Sequence, residues 1–221
     1  MRATNSDAKE CIVVGEKALR RDAAENRRRL LVAAASVFNE HGLDAGVEEI
    51  AREAGVGLGT LYRRFATKDA LISELVRTLL GDILRVAESA VSAPNGEGLE
   101  RVLSGAGAVQ SANRGCLPRL WSDRESASLR SDLRQHLIEL LHLAKQNDRI
   151  RSDATLEDVD LVFWAVRSAV ETSQGVTDSA WQRTLTIMLA GLRPGAERLD
   201  TRPMTGEEYE GIAARMNPAT G

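Results

Sequence analysis

The stretch from Val47 to Phe65 constrains the fold of this chain more than any other part of the sequence. Its first half places apolar residues at positions i, i+3, i+4 and i+7, the spacing of one buried face on a short helix. Gly55 follows and suits a left-handed helix stop, because glycine has no Cβ atom to clash. The helical period then resumes, with Leu61 and Phe65 one turn apart. Two short helices joined by a tight turn predict a helix-turn-helix, whose second helix can enter a DNA major groove.

The net charge of −3 argues against a protein that is coated with nucleic acid, but not against a local DNA site. The Debye length is only ~8 Å at physiological salt, so nearby charges decide binding. Basic residues cluster at 20–21, 27–29, 63–64 and Lys68. The arginines at 27–29 either hold phosphates or form a solvated helix face, and the sequence leaves both interpretations open.

The sequence contains no apolar run near the ~18 residues that a membrane span needs, and no signal-peptide core. We therefore expect a cytoplasmic protein with no membrane partner. The two cysteines, Cys11 and Cys116, stand alone and lack the spacing of metal ligands, which favours reduced cytosolic thiols. No cluster of residues predicts a metal site or a cofactor.

The amino-terminal residues 1–20 show no clean period and predict a mobile arm. The basic pair at its end, Arg20-Arg21, either reaches a DNA groove or is solvated. The segment 22–41 is helical in pattern, and Gly42 is a suitable stop for that helix.

The remaining chain also follows the helical period, without convincing strand alternation. Thr67 is a good N-cap for a helix to about Val91, which at roughly 36 Å is long enough to connect two domains. Further helices are predicted at 99–113, 117–125, 128–146, 155–174 and 179–192. The expected organisation is an arm at 1–20, a helix-turn-helix domain at 21–68, a second helical domain at 69–196 and a flexible tail at 197–221.

Three segments, Ile50–Val56, Gly59–Phe65 and Lys68–Leu71, closely resemble the DNA-binding domain of the TetR family of bacterial transcriptional regulators. The resemblance covers about residues 24–73, and the rest is similar only in length and helicity. It implies an all-α fold with an N-terminal three-helix helix-turn-helix DNA-binding domain plus a C-terminal helical ligand-binding and dimerisation domain. It also implies double-stranded DNA and an unknown small-molecule effector as partners, and no catalytic residues.

The resemblance assigns DNA contacts to particular residues. The family's phosphate contacts would fall on Tyr62, Arg64 and Lys68. Its base-facing positions would fall on Leu58, Gly59, Thr60 and Arg63. These assignments agree with the chemistry, since a tyrosine hydroxyl or a lysine positions the DNA backbone and an outward arginine can make a bidentate contact to guanine.

Each assignment has a structural alternative. Tyr62 could close the small core, Arg63 and Arg64 could serve solubility alone, and Leu58 could line the core instead of a thymine methyl group. The chain also departs from the family pattern at two helix caps, where Gly46 and Gly57 replace the usual Ser or Thr. Glycine at an N-cap costs only a few tenths of a kcal/mol, so the fold tolerates it, but a side-chain phosphate contact is lost.

In the second domain the resemblance places dimerisation on the last two long helices, and ligand binding there separates the two DNA-reading heads. The apolar faces within 156–192 can build a four-helix homodimer interface, with packing inside one chain as the rival explanation. Pockets pair aromatic walls with a few polar groups. Candidate lining residues, each of which could also be ordinary packing, are Trp121, His136, Leu140, Phe163, Trp164 and Arg167.

These observations predict a one-component repressor that binds a pseudo-palindromic operator as a dimer and is released by an effector. Activation instead of repression stays open. One alternative is a helical ligand-binding or scaffold protein that does not bind DNA. An all-helical enzyme is the other, but the sequence has no nucleophile motif, paired carboxylates or phosphate loop.

Overall fold

The computed structural model describes residues 5–197 and 199–215. Within these residues the chain is all-α, as the sequence predicts. The helices are α1 (Asn5–His41), α2 (Val47–Glu53), α3 (Leu58–Arg64), α4 (Lys68–Ala90), α5 (Gly98–Ala112), α6 (Leu117–Leu120), α7 (Ala127–Gln146), α8 (Leu156–Thr172), α9 (Ala180–Gly191) and α10 (Gly206–Arg215). No described helix has both the length and the apolar character that crossing a membrane requires.

The chain divides into two compact units that meet in sequence between Leu71 and Ile72, inside α4. This division lies close to the boundary expected at residue 68. Thr67 caps α4 as predicted, because its Oγ1 accepts a hydrogen bond from the Ala70 amide at 3.0 Å.

The core of the first unit is built from the apolar faces that the sequence periodicity predicts. Leu30 and Phe38 of α1, Ile50 of α2 and Leu61 of α3 are completely buried. The helix α2 packs against both α1 and α3. Because α2 and α3 are only seven residues long, tertiary packing rather than intrinsic helix propensity must hold them.

The turn between α2 and α3 has the geometry that its glycines predict. Gly55 adopts a φ of 65°, in the left-handed region. Its amide donates to the Arg52 carbonyl oxygen at 3.1 Å, and the Val56 amide donates to the Ala51 carbonyl oxygen at 3.0 Å. These two bonds form a Schellman motif, which satisfies the last carbonyl groups of α2 and redirects the chain into α3.

The amino-terminal arm is corrected by the structure over residues 5–20, whose backbone belongs to α1. The segment has no proline and one glycine, Gly15, so local helix propensity continues the helix even without an apolar period. Residues 1–4 and the side chains of Cys11 and Arg20-Arg21 lie outside the described part of the chain.

The second unit is a bundle in which α5 packs against α7, α8 and α9, and α8 packs against α9. Two glycines on α5 permit close approach. A Cβ atom at Gly98 would lie 2.4 Å from the Ala90 carbonyl oxygen, and one at Gly107 would lie 2.4 Å from the Trp181 ring. A capping box begins α8, since Thr155 Oγ1 accepts from the Asp158 amide and the Asp158 carboxylate accepts from the Thr155 amide.

The carboxyl-terminal tail is also corrected, because residues 206–215 form α10. A capping pair explains this helix: the Glu208 amide donates to Thr205 Oγ1 at 3.2 Å, and Glu208 Oε2 accepts from the Thr205 amide at 2.9 Å. Arg202 adds an ion pair with Glu208. The pattern Thr-x-x-Glu was present in the sequence and would have indicated this helix.

Candidate DNA-binding surface and ligand cavity

The helix α3 has an inner and an outer face that differ sharply in burial. Leu61 is completely buried and Phe65, at its end, is 5% exposed. Tyr62 and Leu58 are 45% and 37% exposed. The other predicted contact residues on the outer side are Gly59, Arg63 and Arg64, which are exposed, and Thr60, which is half-buried.

This arrangement bears on two of the structural alternatives. Tyr62 is 45% exposed and Leu58 is 37% exposed, so part of each side chain is open to solvent whatever the remainder packs against. The fully buried residue of α3 is Leu61. Both side chains are therefore available to a partner at this surface.

The outer face of α3 is electropositive. The segment 54–68 contains no acidic residue, and its basic residues are Arg63, Arg64 and Lys68. The Arg63 guanidinium donates to Thr60 Oγ1 at 3.1 Å, which orients both side chains along the outer face. Lys68 is half-buried at the first position of α4. On α2, Glu49 instead lies 3.1 Å from His41 Nε2 and 3.5 Å from the Arg52 guanidinium.

The arginines at 27–29 engage neighbours on their own helix. Arg28 pairs with Glu25 at 2.7 Å, and this hydrogen bond lowers the pKa of the Glu25 carboxyl. Arg29 donates to the Asn26 side chain. These contacts favour a solvated helix face for 28–29 over a preformed phosphate site.

The second unit contains a small cavity that brings together three of the predicted ligand residues. Trp121 and Phe163 meet edge to face with ring centroids 5.8 Å apart, and Trp164 lines the same space. The full lining is Trp121, Arg130, Leu133, Arg134, Leu137, Asp160, Phe163, Trp164 and Tyr209. The free volume is about 30 Å³, close to the share of one water molecule in the liquid.

The other three predicted ligand residues do not line this cavity. Leu140 is 1% exposed and packs where a Cβ atom on Gly98 would meet it at 2.5 Å. Arg167 donates to Glu171 one turn along α8 at 2.9 Å. His136 is half-buried on α7. For Leu140 and Arg167, ordinary packing and a surface ion pair account for the side chain.

The polar side of the cavity was missed in the sequence. Arg134 contacts the Asp160 carboxylate at 2.5 Å and the Glu157 carboxylate at 3.1 Å. Burial raises the pKa of the Asp160 carboxyl to about 6, against the lowering effect of Arg134. Arg130 donates to the Asp123 carbonyl oxygen at 2.8 Å. An available signal was the spacing of Arg130 and Arg134, one turn apart on the apolar side of α7.

Cys116 is a buried free thiol at 1% exposure. Burial raises its pKa to about 12, so the thiolate is not formed at neutral pH. Within the described residues, no group of three or more His, Cys, Asp or Glu side chains is placed to hold a metal ion.

Comparisons with known proteins match both units. Residues 30–75 match the family described as bacterial regulatory proteins, tetR family. Residues 95–194 match the C-terminal domain described as transcriptional regulator SbtR-like. The first match includes all of α3, and the second includes every residue of the cavity lining except Tyr209.

Solved structures extend the likeness to most of the chain. A TetR transcriptional regulator from Streptomyces coelicolor is 33% identical, with a TM-score of 0.58, over 77% of this chain and 99% of that chain. A TetR transcription regulatory protein from Mycobacterium vanbaalenii is 29% identical, with a TM-score of 0.58, over 79% of this chain and 99% of that chain.

Among curated relatives, an HTH-type transcriptional regulator of Staphylococcus aureus strain USA300 is 44% identical over 54 residues, or 24% of this chain. The match spans 29% of the length of that relative. The similarity to this relative is thus confined to one short segment of both proteins.

Proposed function

This chain belongs to the TetR family of bacterial regulatory proteins, and on that premise we propose that it is a cytoplasmic one-component transcriptional repressor. It acts as a homodimer on a pseudo-palindromic operator, and a small-molecule effector lowers its affinity for that operator. The observation that carries the proposal is the outer face of α3, which is exposed and free of acidic residues, while the buried Leu61 packs the opposite face into the core.

The contacts follow from the chemistry of this face. Tyr62, Arg64 and Lys68 hold phosphates and so position the helix without reading sequence. Arg63 and Thr60 are the base readers, since a guanidinium can bond guanine O6 and N7 together. A Cβ atom at Gly59 would meet nothing within 4 Å, so the backbone of α3 can approach the groove closely there. Leu58 offers an apolar surface to a thymine methyl group.

The homodimer is supported by exposed apolar residues on α8 and α9, among which the exposed charged residues are Glu171, paired with Arg167, and Arg183. Leu161 on α8 is 40% exposed and Ile187 on α9 is 57% exposed. Around them, α8 presents Ala165, Ser168, Ala169 and Thr172, and α9 presents Thr184, Met188 and Gly191. An isologous pairing of these two helices would bury such residues in a four-helix interface within 156–192.

The effector site is the cavity between Trp121, Phe163 and Trp164. An effector shifts an equilibrium only by its differential affinity for two states of the protein. A ligand that binds this cavity more tightly in the DNA-free form than in the DNA-bound form therefore lowers operator affinity. The factor equals the ratio of the two ligand affinities.

DNA binding is tested by titrating the full-length protein against random duplex and against sites selected from the genome. We expect binding to random duplex to weaken steeply with salt, and one selected class of palindromic sites to bind at least 10³-fold more tightly. The triple variant Arg63→Ala/Arg64→Ala/Lys68→Ala should lose both activities. Arg101→Ala, which removes an exposed arginine from α5, should not. Equal binding by the triple variant would reject α3 as the DNA-binding element.

The dimer is tested with a matched pair of charge insertions. Ile187→Glu should yield monomers in sedimentation, because a carboxylate would be buried at the proposed interface. Ile138→Glu, at a 47% exposed position on α7, should remain dimeric. A dimer that survives Ile187→Glu would place the interface outside the centre of α9.

A further inference from the structure

Tyr209 of α10 is one of the side chains that line the cavity. Its ring stacks on the Trp164 ring with centroids 5.8 Å apart and planes 2° apart. The Arg134 guanidinium carbon lies 4.3 Å from the centre of the same ring. An aromatic face and a cation thus hold Tyr209 in the way that a protein holds an aromatic ligand.

Among the described residues, the helix that carries Tyr209 is held mainly by this side chain and by polar contacts at its start. Among the described side chains of α10, the exposed ones are Gly206, Glu207, Glu208, Glu210, Gly211, Ile212 and Arg215. Its start is held by Arg202 and Thr205, which both contact Glu208 on the surface. A short helix with one aromatic anchor and exposed polar contacts lies at the low end of local stability, so it can detach without unfolding the bundle.

With Tyr209 in place, no drug-sized molecule fits. The cavity has about 30 Å³ of free volume, whereas ligand sites typically offer ~300 Å³ or more. Removing the phenol ring would open the aromatic wall of Trp164. An effector that uses this site must therefore compete with the protein's own side chain.

The polar groups around the ring indicate which effector could compete. Arg134 is matched by the carboxylates of Asp160 and Glu157. Arg130 donates to the Asp123 carbonyl oxygen and lies near the Asp123 carboxylate, whose own hydrogen bonds come from Ser73 and Ser126. The buried indole Nε1 of Trp121 has no hydrogen-bond partner within the described residues. Arg130 and Trp121 are both donors beside an aromatic wall, so they favour a ligand that carries an acceptor or an oxyanion on a flat ring.

We propose that Tyr209 is an internal occupant of the effector cavity, and that the effector is a planar aromatic molecule with an anionic acceptor group that displaces it. The ring of the effector takes the place of the phenol on Trp164, and its acceptor meets Arg130 and Trp121. This inference rests on the proposed effector function of the cavity and adds the class of ligand and the segment that must leave.

The test uses the full-length protein and the probe 1-anilinonaphthalene-8-sulfonate, an aromatic sulfonate, with binding followed by fluorescence. The apparent affinity of a site is reduced by the fraction of time that it is open. If Tyr209 fills the cavity about nine-tenths of the time, Tyr209→Ala should lower the Kd of the probe about tenfold. Tyr209→Phe, which keeps the ring, and Ile212→Ala, on the exposed side of α10, should bind as the wild type does.

Two further variants make the outcome decisive. Glu208→Gln weakens the anchoring of α10 without touching the cavity and should lower the Kd in the same direction by a smaller factor. Trp164→Ala added to Tyr209→Ala should abolish the gain, because the stacking wall is then lost. An unchanged Kd in both Tyr209→Ala and Glu208→Gln would overturn the proposal, as would a gain that survives without Trp164.

The probe measurement involves no DNA, so it separates this inference from the proposed function. If the protein binds no duplex, yet Tyr209→Ala binds the probe more tightly, the inference about Tyr209 stands and the proposed regulatory function is rejected. If the protein binds its operator but Tyr209→Ala leaves the Kd of the probe unchanged, the proposed regulatory function stands and the inference about Tyr209 is rejected.

Discussion

The candidate DNA-binding surface on α3 and the cavity beside Trp164 differ in how far apart in sequence their residues lie. The α3 surface consists of consecutive residues on one short helix, and its outer face is exposed because Leu61 faces inward. The cavity draws on α7, α8, α10 and the end of α6, so residues far apart in sequence must meet. A site formed by neighbouring residues on one helix can therefore be predicted from the local sequence. A site formed by the packing of several helices cannot.

The sharpest contrast lies within α3 itself. Leu61→Ala should destabilise the first unit by about 2–5 kcal/mol, because it removes a completely buried side chain and leaves a cavity. Leu58→Ala, at a 37% exposed position, should change stability far less. Urea unfolding of both variants measures the difference. Equal losses would show that α3 does not divide into a buried and an exposed face.

The pH dependence of stability tests the environment of Asp160, which lines the cavity. The carboxyl pKa of Asp160 is raised from 3.8 to about 6, so the folded state binds more protons than the unfolded state between these values. The free energy of unfolding should therefore fall as pH rises from about 4 to 6, by at most ~3 kcal/mol. Asp160→Asn should flatten this part of the profile, and Asp132→Asn, at an exposed position on α7, should not. A slope that persists in Asp160→Asn would belong to another group.

Substitution of Arg63 tests whether this side chain recognises a DNA base. Arg63→Ala should cost about 1–3 kcal/mol in operator binding and relax the base preference at one position. Selection of binding sites from a randomised operator measures that preference. If the variant selects the same sequence as the wild type, Arg63 does not read a base.

The smallest effect is expected at Lys68. Lys68→Ala should weaken binding to all duplexes alike and reduce the slope of log K against log salt by about 1. Titrations of one duplex at several salt concentrations give the slope. Lys145→Ala on α7 is the matched control, and a slope that is unchanged in Lys68→Ala would remove this lysine from the phosphate contacts.

The first unit was predicted closely because local rules fix it. The stop at Gly55, the caps at Gly46, Gly57 and Thr67, and the inward pair Leu61 and Phe65 each depend on a few neighbouring residues. The start of α1 at Asn5 is not predicted, because its first residues favour a helix only by composition and show no apolar period.

The cavity could be predicted only in part. Trp121, Phe163 and Trp164 were identified as aromatic candidates, but composition cannot tell which aromatic residues will face each other. The prediction of Leu140 as a lining residue is wrong for this cavity, because Leu140 packs beside Gly98. Tyr209 is not predicted, because the sequence pattern of 197–221 indicates a tail and not the helix α10. Which side chains share a space is decided by the packing of α6, α7, α8 and α10.

Photo-crosslinking from position 66 tests the central claim most directly, namely that the outer face of α3 lies against duplex DNA. Ala66 is exposed between the end of α3 and the start of α4 and is not one of the proposed contacts, so a benzophenone amino acid there leaves the close approach at Gly59 intact. Gly206 is the control position, because it is exposed and an added Cβ atom there meets nothing within 4 Å. We predict that the selected operator crosslinks to position 66 and not to position 206. Crosslinks that form at position 206 but not at position 66 would contradict the account.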